Sequence, residues 1–149
     1  MLRKETVNQA TLELLNILMV DNKLDAFFLV GGTALSLQIG HRISIDLDLF
    51  STASFDENTL LEYLQNNYSF QLDYQSNNTL KGVIRGVKVD FITHAYPLVL
   101  PLIVDEDVRM AGPEDIAAMK LNAIASNGTR LKDFIDIAFY HHPLASRKW

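Results

Sequence analysis

The sequence predicts an α+β fold within the broad α/β class: a mixed β-sheet flanked by helices, forming one domain over residues 1–149. Three observations carry that expectation. Segments with apolar residues at helical spacing open and close the chain. A short apolar run, Phe27-Phe28-Leu29-Val30, ends in Gly31-Gly32 and leads back into a helical pattern. Residues 70–93 read as three strands joined by two tight turns. At 149 residues the chain is long enough to bury about two thirds of its unfolded surface. Its 48% hydrophobic and 21% charged residues are those of a folded rather than a disordered chain.

The elements follow in order. Val7, Ala10, Leu14, Ile17 and Leu18 recur at helical spacing, which predicts a helix over residues 6–20, with Thr6 and Gln9 spaced as a capping box. Residues 27–30 form a buried strand, and the helix after Gly31-Gly32 reaches Gln38 and ends at Gly40. Alternation predicts a strand over 45–50, then a helix over 56–66 with Asp56 as its N-cap. The meander has strands at 70–75, 79–85 and 87–93, turning at Asn77-Asn78 and Arg85-Gly86. Residues 96–105 read as a proline-containing loop and 108–110 as a short strand. Two helices, 113–125 and 131–140, close the chain, and Pro143 breaks the last of them. No internal repeat, linker or low-complexity segment interrupts this order.

Candidate chemistry gathers around the first strand-to-helix turn. Side chains alternate across a strand, so Asp46 and Asp48 share one face while Ile45, Leu47 and Leu49 share the other. Two carboxylates about 4 Å apart repel by roughly 4 kcal/mol at an effective dielectric near 20. A hard divalent ion with oxygen ligands is the candidate to sit between them. The glycine turn beside them offers backbone N–H groups and a positive helix end, which suit phosphate. A third acid, Asp90, interrupts the apolar run Val87-Lys88-Val89-Asp90-Phe91-Ile92 and needs a partner, either the same metal or a basic residue on a neighbouring strand. Taken singly, the glycine pair is ordinary turn punctuation and the acid pair a solvated strand face. Together, metal and phosphate are the chemistry of nucleotide transfer.

Lys120 stands one helical turn from Ile116, Ala117, Ala123 and Ile124, so it emerges from an apolar stripe. Its ammonium either snorkels outward or meets a buried anion. Arg42 and Ser44, upstream of the acid pair, are candidate phosphate ligands or structural residues. Arg130, Asp133 and Asp136 are candidate accessory groups or simple surface pairs. His41, His94, His141 and His142 show no metal-ligand spacing.

These segments together resemble the AbiEii-type toxins of bacterial abortive-infection systems, within the nucleotidyltransferase superfamily. The resemblance rests on Gly31-Gly32-Thr33-Ala34-Leu35, on His41-Arg42 through Ser44 to Asp46-Leu47-Asp48-Leu49-Phe50, and on Gly86-Val87-Lys88-Val89-Asp90-Phe91. It extends to Pro113-Glu114-Asp115-Ile116-Ala117-Ala118-Met119-Lys120 and to Arg130-Leu131-Lys132-Asp133-Phe134-Ile135-Asp136. It implies a metal-dependent nucleotidyltransferase. An NTP would lie with its triphosphate on Gly31, Gly32 and Thr33, the Thr33 hydroxyl included, and Asp46, Asp48 and Asp90 would hold Mg²⁺ or Mn²⁺. Lys120 would reach the phosphates or one of the carboxylates, and Asp133 and Asp136 would pack towards Lys120 or the nucleotide. The implied acceptor is an RNA end, tRNA foremost, or a protein hydroxyl, and the implied partner is a cognate antitoxin. The family's helical continuation is short or missing in this sequence. That departure opens a second reading, a catalytically weak or silent nucleotide- or partner-binding module; a third, a small-molecule, antibiotic-modifying nucleotidyltransferase, shares the acidic triad but fits the Lys120 segment less well.

Composition narrows the setting. There are no cysteines, which excludes disulfides, thiolate metal sites and cysteine nucleophiles. The N-terminus has no signal-peptide pattern, and the longest apolar stretch, residues 98–104, contains Pro101 and is too short for a membrane span. A cytoplasmic protein is expected. A net charge of −5 argues against generic adhesion to nucleic acid. An RNA acceptor requires the basic residues to cluster, as Lys81, Arg85 and Lys88 do on neighbouring strands and Arg130, Lys132, Arg147 and Lys148 do near the end; the alternative is an ordinary solvated surface.

Overall fold

The helical and extended periods of the sequence resolve, in a computed structural model that describes residues 2–40, 45–94 and 98–127, into four helices packed on one mixed sheet. The order is α1 (Gln9–Met19), β1 (Phe28–Val30), α2 (Gly31–Ile39), β2 (Leu47–Ser51), α3 (Glu57–Tyr68), β3 (Gln71–Ser76), β4 (Thr79–Ile84), β5 (Val87–Thr93), β6 (Ile103–Asp105), β7 (Val108–Met110) and α4 (Pro113–Asn127). Among the described residues seven strands form one sheet in the order β3-β4-β5-β2-β1-β7-β6. β2 runs parallel to β5, and β1 parallel to β7; the other neighbours are antiparallel.

Local chemistry sets most boundaries. The α1 cap is Asn8, whose side chain accepts from the Ala10 N–H at 3.0 Å, so the helix starts at Gln9 and the expected Thr6–Gln9 capping box does not form. Residues 4–6, ending where the sequence places the helix start, make a short 3₁₀ turn. Asp56 caps α3 by accepting from the Thr59 N–H at 2.9 Å, as its position predicts. Gly40 ends α2 at φ 66°. Arg85 and Gly86 both adopt positive φ, 52° and 77°, which matches the twist of a tight hairpin. Glu106 and Asp107 do the same at 51° and 67°, closing a β6–β7 hairpin where the sequence led us to expect a loop up to residue 105. A Glu-Asp turn lacks the Gly or Asn that usually marks such a hairpin. The second closing helix, 131–140, lies outside the described residues.

The core forms on one face of the sheet. Leu47 and Leu49 of β2, Val89 and Phe91 of β5 and Leu80 and Ile84 of β4 alternate inward. They join Leu14, Leu15 and Leu18 of α1 and Leu64 of α3. Phe27 packs edge-on against Phe91 and Phe55, with ring centroids 5.2 and 5.4 Å away. α2 packs on β1 and β2, and α4 packs on α2.

Two polar ties hold the approach to β1. The carboxylate of Asp21 accepts from the hydroxyls of Tyr63 (2.6 Å) and Tyr68, joining α3 to the end of α1. Burial works to raise the Asp21 carboxyl, but both tyrosine hydrogen bonds, the Lys23 N–H and the Lys23 charge outweigh it and hold the group below the usual range. Arg109 of β7 donates to three carbonyls, Phe27 (3.1 Å), Met19 (3.0 Å) and Leu24 (3.2 Å). The guanidinium thus collects chain ends that would otherwise point unsatisfied into the protein. Arg109→Met keeps the stem and strands those carbonyls. We expect a loss of about 2–4 kcal/mol by urea denaturation, from unsatisfied buried acceptors; a change below about 0.5 kcal/mol would show that water replaces the guanidinium.

Candidate active site

Strand register assembles the site. Val30 pairs with Asp48 across β1–β2, Asp48 with Asp90 across β2–β5, Asp90 with Lys81 across β4–β5, and Lys81 with Tyr74 across β3–β4. Paired residues share a face. A single row therefore crosses five strands: Val30, Asp48, Asp90, Lys81, Tyr74. This is the face opposite Leu47, Leu49, Val89 and Phe91. Asp46 lies two residues before Asp48, just ahead of β2, and its charge is felt at Asp90.

Gly31 fixes the relation between the helix start and the acid pair. It sits at φ +72°, and a Cβ built on it would lie 2.3 Å from Oδ2 of Asp48. The Cγ and Cβ of Asp48 would be 3.1 and 3.3 Å away, so rotating the carboxylate would not clear the space. Only glycine lets the chain turn into α2 against the aspartate. Val30, the N-cap residue, has no side chain that can cap this helix start, and the positive end of α2 lies beside Asp48. The Thr33 hydroxyl, expected on a phosphate oxygen, donates instead to the backbone carbonyl of Asp46, and Thr33 is 1% exposed. It ties the segment that carries the acids to the first turn of α2.

Asp90 is 8% exposed, and its Oδ1 is buried without a hydrogen-bond partner among the described residues. Burial pushes its carboxyl above the usual range; Lys81 and Lys88 pull it down, and Asp46 and Asp73 push it up again. A buried carboxylate oxygen left unpaired is costly and signals a missing partner. Among the described residues no three acidic or histidine side chains are grouped to hold a metal ion by themselves. The donor set still fits a hard divalent cation. It is all oxygen, two of its carboxylates are register neighbours, and Mg²⁺ is commonly held by one or two carboxylates with substrate phosphate and water completing the shell.

Lys120 is 9% exposed on α4, on the side that carries buried Ile116 and Ala117, so its side chain runs inward. It has an interaction partner in the structure. Arg42, Ser44, Arg130, Asp133 and Asp136 lie outside the described residues. Two contributors escaped sequence reasoning. Asp115 opens α4 and accepts from the backbone N–H groups of Val99 (2.8 Å) and Leu100 (3.1 Å), pinning the chain beyond β5 to the helix that carries Lys120. His94, just past β5, stacks on Phe50 with centroids 5.8 Å apart; burial lowers its pKa against the attraction of Asp115. Asp115 has no sequence signature beyond its place in the Pro113–Lys120 segment, and His94 has none.

The fold is one that nucleotidyltransferases share. ANT(2")-Ia, solved in complex with adenylyl-2"-tobramycin, superposes with a TM-score of 0.61 at 15% identity, covering 94% of this chain and 91% of that one. JHP933 of Helicobacter pylori superposes at 0.57 with 22% identity, covering 90% of this chain and 67% of that one. The sequence profile described as "Nucleotidyl transferase AbiEii toxin, Type IV TA system" matches residues 13–147, and the chain belongs to that family. The uncharacterized protein aq_aa25 of Aquifex aeolicus is 38% identical over 117 residues, which are 76% of this chain and 56% of that protein. The chain thus spans little more than half the length of this relative. Among the described residues no helix is long and apolar enough to cross a membrane.

The Gly31–Asp48 contact yields a test. Gly31→Ala forces alanine into the left-handed region, roughly 1–2 kcal/mol, and also displaces Asp48. In an Asp48→Ala background only the first cost remains. Urea denaturation of the four proteins should give a coupling of about 1 kcal/mol or more; additive effects would mean that the turn and the carboxylate do not touch.

Proposed function

We propose that this chain binds an NTP and transfers its nucleotidyl group to a hydroxyl of an acceptor, and that it is the toxin of a toxin–antitoxin pair. The observation that carries the proposal is the row Val30–Asp48–Asp90, in which a glycine turn at a helix start lies against Asp48, the register neighbour of Asp90. The first-turn N–H groups of α2 would hold phosphate oxygens. Asp48 and Asp90, with Asp46 beside them, would hold Mg²⁺ or Mn²⁺, which when bound neutralises phosphate charge and steadies the leaving group. Lys120, buried on α4, would offset the remaining phosphate charge.

In the transfer the acceptor oxygen bonds to the α-phosphorus as the bond from that phosphorus to the bridging oxygen breaks. Pyrophosphate leaves with the electron pair, and the hydroxyl proton passes to the Asp90 carboxylate. Its Oδ1, buried and without a hydrogen-bond partner among the described residues, is the oxygen left to accept that proton. The acceptor in this reading is an RNA end, tRNA foremost, or a protein hydroxyl, and a cognate antitoxin restrains the outcome. A binding module without turnover is the second reading, favoured by the lack of a three-acid group among the described residues.

Incubation with each α-labelled NTP, Mg²⁺ and total RNA separates the two. We expect label transfer that Asp48→Asn and Asp90→Asn reduce by roughly 10²- to 10³-fold. Mg²⁺ with NTP should raise the melting temperature of the wild type by mass action and leave Asp90→Asn unmoved, although that variant, relieved of a buried charge, melts no lower by itself. A thermal shift without any transfer supports the binding module.

For Lys120→Met the stem's apolar contact survives and the charge goes. Folding should change little while NTP affinity or transfer rate falls by one to three orders of magnitude, on the order of a lost charge-stabilising group. Wild-type values in both assays would remove Lys120 from the site.

A further inference from the structure

The same row that joins the glycine turn to the acid pair continues past it, and the two flanks differ in chemistry. On the β1 side stand Gly31 and the start of α2; on the β4–β3 side stand Lys81 and Tyr74. An in-line displacement places the entering and departing oxygens on opposite sides of the phosphorus. With the phosphates on the β1 flank, the acceptor must arrive over β4 and β3.

That flank is shaped by a β-bulge. Gln71 pairs with Val83 and Leu72 with Gly82, but the register then shifts, so that Tyr74 rather than Asp73 pairs with Lys81. Without the extra residue, Tyr74 would oppose Leu80 and point to the core face. The bulge turns an aromatic ring onto the face of the acids, the kind of re-aiming that bulges perform beside functional sites. Tyr74 is 54% exposed, and the Lys81 ammonium lies 6.0 Å from its ring centroid. Lys88, exposed and two residues before Asp90, adds a second cation on the same face, opposite Val83 of β4. Asp73, the bulged residue, adds a negative charge that reaches Asp90.

We propose that this flank is the acceptor platform and that it takes the unpaired end of a nucleic-acid strand, its terminal base stacked on Tyr74 and its nearest phosphates on Lys81 and Lys88. The inference rests on the nucleotidyl-transfer reading. An exposed aromatic beside lysines is the chemistry that holds single strands, because every base offers a π-face and every nucleotide a phosphate. Two lysines offset by Asp73, on a chain of net charge −5, suit a strand end with few phosphates rather than a duplex.

The probe is a single-stranded RNA dodecamer with 2-aminopurine at its 3′ end, titrated with the full chain at low salt without NTP or divalent ions. Binding should quench the 2-aminopurine as it stacks. Tyr74→Ala should weaken binding roughly 5- to 150-fold and abolish the quench, whereas Tyr74→Phe retains both. Lys81→Met should lower the salt dependence by about one phosphate contact. The blunt duplex should bind more weakly than the single strand. Circular dichroism and melting of Tyr74→Ala should match the wild type, since the ring is exposed. Unchanged binding and quench in a folded Tyr74→Ala variant, duplex binding as tight as single-strand binding, or displacement of the RNA by a serine-containing peptide would each overturn the inference. The assay contains no NTP. Failure here therefore leaves the donor site standing, and absence of label transfer with strand binding intact counts against the transfer reading alone.

Discussion

Two carboxylates, Asp48 and Asp90, face each other across parallel strands, and much of the surrounding architecture answers to that placement. Side chains on adjacent strands stand about 5 Å apart, where like charges repel by on the order of 3 kcal/mol at an effective dielectric of 20. Apolar packing on the opposite face offsets that repulsion and fixes the register: Leu47 and Leu49 against Val89 and Phe91. A slip of one residue would bury the acids and expose the core. Each acid also has its own source of positive potential. The start of α2 lies against Asp48, a closeness that Gly31 permits, and Lys81 stands across from Asp90.

Thr33 shows how rigidly this is held. Its hydroxyl is used on the Asp46 carbonyl rather than offered outward, so the segment entering β2 is tied to the first turn of α2. Thr11 of α1 repeats the device one residue earlier, donating to the Ile45 carbonyl at 2.8 Å. Together the two hydroxyls anchor the chain on the approach to Asp48. On the far side, Asp115 ties the chain beyond β5 to α4. Lys120 and Asp90 are thereby linked through structure as well as through the charge each would present to a ligand.

Much of this was legible in the sequence because it rests on local chemistry. The strand–Gly-Gly–helix unit, the Gly40 stop, the Asp56 cap and the turns at Asn77-Asn78 and Arg85-Gly86 all follow from backbone preferences of single residues. Pairing is not local. Nothing between residues 28 and 93 says that β2 lies antiparallel to β1 but parallel to β5, yet that pairing makes Asp48 and Asp90 neighbours. The β6–β7 hairpin was hidden because Glu106 and Asp107 carry a conformation that Gly or Asn usually carries. Arg109 gave no signal either, since its partners are backbone carbonyls that any residue possesses.

The bulge in β3 shows most clearly where reading by period stops. Alternation applied to Gln71, Leu72, Asp73 and Tyr74 assigns the tyrosine to the core face, and one extra residue reverses that assignment. A half-exposed edge strand has little apolar area with which to resist such a shift, whereas β2 and β5, buried along the core face, cannot accommodate one. Freedom to vary therefore concentrates on the β3 side of the acids and rigidity on the β1 side. The Gly31–Asp48 approach thus lies in the part of the sheet that packing fixes, and the Lys81–Tyr74 pair in the part that a single inserted residue re-aims.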